Sequence, residues 1–240
     1  AEVLQGDDRW EPSPGAWSAW QPFLWEMRDR KVPLAKVQIA GPLTVCWAVK
    51  TSEGKMLAQE PDLAAQVFQI ILVRALSMVR ALKEAGVTPL VCLDEPGLYA
   101  LDPSDPKHVV ALQELQVVFE TLKRDEALVG IHCCSNTAWD SLMNLGVDVL
   151  AVDASLSLLS VMGAGKVFDA FIQKGGALLL GVVPTDVETS AYDIPDQVVH
   201  ILLQLAEFME HDDKALPIVH PLVDVIFGDF DEGRYVRQMH

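Results

Sequence analysis

Positive charge is scarce in this sequence: 18 Lys and Arg stand against 34 Asp and Glu in 240 residues, a formal net charge of −16. Nucleic-acid affinity comes mostly from Lys and Arg neutralising phosphates, and no basic run is present, so neither nucleic acid nor an anionic membrane surface is expected as a partner. Long apolar runs are also lacking. The greasiest stretches are broken by Arg, Lys or Asp before the roughly 18 residues needed to span a bilayer, so no membrane-spanning segment is expected. Cysteine is limited to Cys46, Cys92, Cys133 and Cys134, two of them adjacent and lying in apolar runs. That pattern argues against a secreted disulfide framework and for a reducing, cytoplasmic setting. No signal-peptide pattern opens the chain at Ala1. Nucleotide-binding glycine signatures are missing too, since neither G-x-G-x-x-G nor a P-loop follows the first strand.

What is present is apolar, half of all residues, and organised. Four of the six tryptophans, Trp10, Trp17, Trp20 and Trp25, fall in residues 1–35 among several Pro and Gly, which reads as an irregular or short helical arm. Beyond it, residues 36–240 are expected to form one domain in which short apolar strands alternate with helices. Strands are predicted over 36–40, 88–93, 128–131, 149–152, 177–183 and 216–219. Helices are predicted over 61–85, 106–123, 137–145, 165–174 and 195–209. Several open on an early Pro, and Gly86 and Gly146 serve as stops. Nearly continuous apolar strands separated by helices imply parallel pairing buried on both faces. The fold class expected is therefore α/β, and a (β/α)8 TIM barrel rather than an open doubly wound sheet, because ionisable residues recur at strand C-termini, where barrel sites sit.

Three strand ends carry most of the chemistry: Asp94-Glu95, His132 with Cys134, and Asp153. In a barrel these ends converge on one mouth. His132 and Cys134, two residues apart, lie on the same side of the pleat, so both can reach one ion. A borderline-soft cation such as zinc accepts N and S donors, with Asp153 able to add an oxygen. The bland alternatives are buried cysteines and capped turns. Cys133 is expected to point the other way, into packing, and Cys46 and Cys92 to be buried small hydrophobes.

The succession Gln38-Ile39-Ala40-Gly41-Pro42-Leu43-Thr44, Leu93-Asp94-Glu95-Pro96-Gly97-Leu98, Ile131-His132-Cys133-Cys134 and Val152-Asp153 resembles the catalytic barrel of cobalamin-independent methionine synthase. It is similar also to the wider superfamily that includes uroporphyrinogen decarboxylase and the corrinoid-dependent methyltransferases. The resemblance implies a zinc site at His132, Cys134 and Asp153, with Asp94 holding the amino group of a thiol-bearing small-molecule substrate; Glu95, at the same strand end, is expected to position that substrate with Asp94 as a catalytic residue. It further implies methyl transfer to that thiol from a methylated pterin or corrinoid. The family's fourth zinc ligand is a late Cys. Here no Cys follows Cys134, and His220 is the candidate replacement. Two alternatives stand beside methyl transfer: a metal-free decarboxylase of the uroporphyrinogen type or a corrinoid-linked methyltransferase relative, and a degenerate, non-catalytic small-molecule-binding barrel. A decarboxylase of that type needs cations for its substrate's carboxylates, and the strand ends offer almost none. Six strands against eight leaves the barrel lacking, or mis-representing, its first two strands, about 60 residues at the usual size of a βα unit.

Overall fold

A computed structural model describes residues 18–181. The chain divides into two compact units, 1–179 and 180–240, and the elements below belong to the first, with the last strand ending just past the boundary. Five strands, β1 (Leu34–Ala40), β2 (Thr88–Asp94), β3 (Leu128–Cys133), β4 (Val149–Asp153) and β5 (Ala177–Gly181), form one sheet in the order β1-β2-β3-β4-β5. β1, β2, β3 and β4 pair in parallel. Helices α1 (Trp20–Asp29), α2 (Pro42–Ala48), α3 (Pro61–Glu84), α4 (Pro106–Arg124), α5 (Trp139–Met143), α6 (Ala154–Met162) and α7 (Lys166–Gln173) lie before and between them.

The strand order decides between the two α/β architectures. A doubly wound sheet reverses direction at a switch point, whereas a barrel wall adds each new strand on the same side. Here spatial order follows sequence order throughout, so the sheet is a five-strand parallel stretch of (β/α) wall. The predicted helix 195–209, the strand 216–219 with His220 at its end, and residues 182–183 of the predicted strand 177–183 lie outside the described residues.

Burial explains why these segments form. The odd-numbered residues of β2 and β3, Val91, Leu93, Val129, Ile131 and Cys133, are all fully buried. The covering layer is α3, which packs on β1 and β2 and buries Val79 and Leu82, and α4, which packs on β3 and buries Leu115, Phe119 and Leu122. Each of those helices opens on a Pro at its first turn, where a missing N–H costs nothing. Gly86, at φ 80°, and Gly146, at φ 78°, end α3 and α5 in the left-handed region that glycine enters freely. α3 spans 24 residues with mean hydropathy 1.5 in its richest window, enough by length and composition to cross a membrane. Its contacts with β1 and β2 mark it as a sheet-covering helix. At the N-terminal end of the strands, Asp148 accepts from the Val129 amide at 2.8 Å and from Lys123 Nζ at 2.6 Å, bracing β3, β4 and α4 together.

Candidate functional site

Strand register arranges the other face of the sheet in rows. Ala40 pairs with Asp94, Asp94 with His132 and His132 with Ala151, so these four make one row at the C-terminal ends of β1 to β4. One row down lie Gln38, Cys92, Gly130 and Val149, and below them Lys36, Leu90 and Leu128. Because side chains alternate across a strand, each row presents its members to the same side. Half of the top two rows, Ala40, Ala151, Cys92 and Gly130, are small residues that leave room beside Asp94 and His132.

Asp94 and His132 come together there. His132 Nε2 lies 3.7 Å from Asp94 Oδ1, and their side chains are 27% and 38% exposed, so the pair is open to a ligand yet shielded on one side. The other ring nitrogen, Nδ1, is 3.0 Å from the Ala151 carbonyl oxygen. A carbonyl only accepts, so Nδ1 holds a proton and Nε2 is the nitrogen free to exchange one with a substrate.

Glu95 sits on the opposite side, one residue further along. It is fully buried, and its carboxylate accepts from the Leu43 amide at 3.0 Å and the Thr44 amide at 2.6 Å, capping α2. The adjoining backbone is tied as well. Gly41 N donates to the Asp94 carbonyl at 2.8 Å, Glu95 N to the His132 carbonyl at 2.8 Å, and Gly97 N to Thr44 Oγ1 at 3.0 Å. These bonds join the turns after β1, β2 and β3 into a clamp that fixes where Asp94 points. Glu95 therefore acts on the site through Asp94's backbone and does not share the face of Asp94 and His132, the place the sequence reading assigns it.

Burial pushes the Glu95 carboxyl up to about 7, against the lowering effect of its bonds to Thr44 and Leu43 and with the nearby Asp94 charge adding to the rise. A carboxyl whose folded pKa exceeds its unfolded value stabilises the fold fully below the unfolded value near 4.5. That contribution is lost as pH rises toward about 7. The native state should thus lose roughly 3 kcal/mol from this group between those limits, at about 1.36 kcal/mol per pKa unit. Urea denaturation of wild type and Glu95→Gln across that interval checks this. The difference between the two should slope with pH, and parallel curves would contradict it.

The expected zinc donors are placed differently from one another. Cys134 is exposed just past the end of β3, and Cys133 is buried and donates to the Ser135 carbonyl at 3.2 Å, as its position in the pleat predicts. Asp153 caps α6: its Oδ1 accepts from the Leu156 amide at 3.0 Å and from Ser155 Oγ at 2.6 Å. Among the described residues no three of His, Cys, Asp and Glu stand together as a metal set. As placed, His132, Cys134 and Asp153 do not fit a zinc ion, and zinc has no part in the mechanism below. His220 is outside the described residues. Burial pushes the Cys46 and Cys92 thiols up to about 11, which suits inert packing groups.

Lys36 lies inside β1, away from the strand ends where the expected site residues cluster. Its signal was the alternation Lys36-x-Gln38 in a strand whose Ala35 and Val37 are buried.

An uninterrupted parallel order with polar side chains gathered at the strands' C-terminal ends defines a class, the (β/α)-barrel proteins whose working face is that mouth. Within it, the chain belongs to the uroporphyrinogen decarboxylase (URO-D) family, whose model matches residues 26–187. It falls thereby in the superfamily that groups decarboxylases of this kind with methionine-synthase-like barrels. No curated protein matches the chain.

Proposed function

We propose that the chain is an acid–base enzyme of the uroporphyrinogen decarboxylase kind, removing carboxyl groups from a pyrrole-bearing small molecule at the mouth. The observation that carries this reading is the approach of Asp94 Oδ1 and His132 Nε2 to 3.7 Å on adjacent strand ends. Protonated at Nε2, the imidazolium donates to a pyrrole carbon, and the Asp94 carboxylate offsets the positive charge that the ring acquires. The bond to the departing carboxylate then breaks, its electron pair enters the ring and carbon dioxide leaves. A proton from solvent adds to the remaining methylene carbon and the ring returns its proton to Nε2, leaving a methyl group. One proton is consumed for each carbon dioxide released, and no electron is gained or lost.

The test is incubation of the full chain with uroporphyrinogen under anaerobic, reducing conditions, with the products oxidised and resolved by carboxyl number. Stepwise loss of carboxyl groups supports the reading, and unchanged substrate at high enzyme concentration contradicts it. Methyl transfer to a thiol from a methylated pterin or corrinoid is the second reading, and zinc on His132, Cys134 and Asp153 would require those donors to be drawn together from where they stand. It is favoured by the exposed Cys134 thiol two residues beyond His132. It predicts about one zinc per chain in protein purified without chelator, lost in His132→Ala. Metal analysis that finds none removes it.

A further inference from the structure

Lys36 is the only Lys or Arg within the five described strands, and it lies on the same face as Asp94 and His132. Lysine is uncommon in strands, and here it is exposed, so its ammonium can meet an anionic ligand without first being taken from another residue. Among the described residues no hydrogen bond or ion pair ties its ammonium to another side chain. Lys36 is two rows below Asp94, about 13 Å along the strand at roughly 3.3 Å per residue. Its flexible four-carbon stem shortens that gap. The charge reaches upward: burial raises the Cys92 thiol, and Lys36 is the cation that opposes the rise from one row below. Between Lys36 and the acid–base pair, Gly130 carries no side chain, and a Cβ there would meet Cys92 Sγ and Val149 at 3.4 Å.

We propose that Lys36 anchors a substrate carboxylate, holding an anionic arm down along β1 while the reacting carbon lies against Asp94 and His132. The inference rests on the acid–base reading of the mouth and narrows it to substrates with at least two carboxylates, one lost and one held. It also supplies a cation that the strand ends lack, since the mouth otherwise presents Asp94 and Asp153 to an anionic ligand. Among the described residues β1 is the sheet's edge, and an edge lysine can instead serve only to discourage pairing with another chain.

Fluorescence titration of the full chain with uroporphyrin, the oxidised form of the family's named substrate, separates these roles. Wild type should bind, Lys36→Ala should bind at least tenfold more weakly with a shallower salt dependence, and Lys36→Arg should recover most of the affinity. Sedimentation should show all three with the same oligomeric state. Equal affinity of wild type and Lys36→Ala, within about twofold, overturns the anchor while leaving the acid–base pair standing. If that equality comes with new association of Lys36→Ala, the lysine is an edge guard. Failure of wild type itself to bind uroporphyrin overturns the porphyrinogen reading, and the anchor with it.

Discussion

Gly41→Ala is expected to cost about 3–5 kcal/mol of stability, out of the 5–15 kcal/mol typical of a folded domain. The backbone is not the reason, because φ −78° and ψ 154° at Gly41 suit alanine well. The reason is the side chain of Glu95: a Cβ at position 41 would sit 2.1 Å from its Cδ and 2.2 Å from Oε1. Glu95 has nowhere to retreat. It is fully buried, and moving it would strip acceptors from the Leu43 and Thr44 amides, at about 1–3 kcal/mol for each buried group left unpaired. Urea denaturation should show a lower midpoint at unchanged slope. In a Glu95→Ala background the same substitution should cost under about 1 kcal/mol, a large non-additivity of the kind that contacting residues show. A mild effect in the wild-type background would mean that the clamp is soft.

The second large effect is on rate. His132→Gln and Asp94→Asn should each lower kcat about 10²- to 10⁴-fold, the usual contribution of a positioned acid–base group. Their stabilities should stay within about 1 kcal/mol of wild type, because both side chains are part-exposed and neither bears on the core. The double variant should fall little below the worse single one, since the two act as a unit. If either single variant kept full rate, the proton would have to come from elsewhere.

Much of this fold could be read from the sequence because parallel strands buried on both faces leave continuous apolar runs, as in Leu90 to Leu93 and Leu128 to Ile131. Pro61, Pro106, Gly86 and Gly146 then punctuate the helices between them. Two helices were not legible. α2 opens on Gly41-Pro42, a pair that reads as a turn, and Glu95, more than fifty residues on, accepts from its first amides. α6 is held at its start by Asp153, whose local hydrogen bonds to Ser155 and Leu156 cannot be told from ligand character by residue type. For the site, residue types at the strand ends singled out Asp94 and His132, which the structure places in one row. What they could not supply was register. Only the pairing of Asp94 with His132, and of Lys36 with Leu90 two rows below, shows which side chains share a face. Parity separates Glu95 from Asp94, and the buried face it enters exists only once α2 is in place.

The central claim is that Asp94 and His132 together move a proton onto and off a ring carbon while carbon dioxide departs from the side chain that the ring carries. Turnover of uroporphyrinogen in deuterium oxide, with products weighed by mass spectrometry, tests it most directly. The account predicts that every carboxyl lost is replaced by one deuterium on the new methyl group, and that His132→Gln yields neither product nor label. Carbon dioxide release unaffected by His132→Gln would contradict it, as would a wild-type chain that leaves the carboxylates untouched.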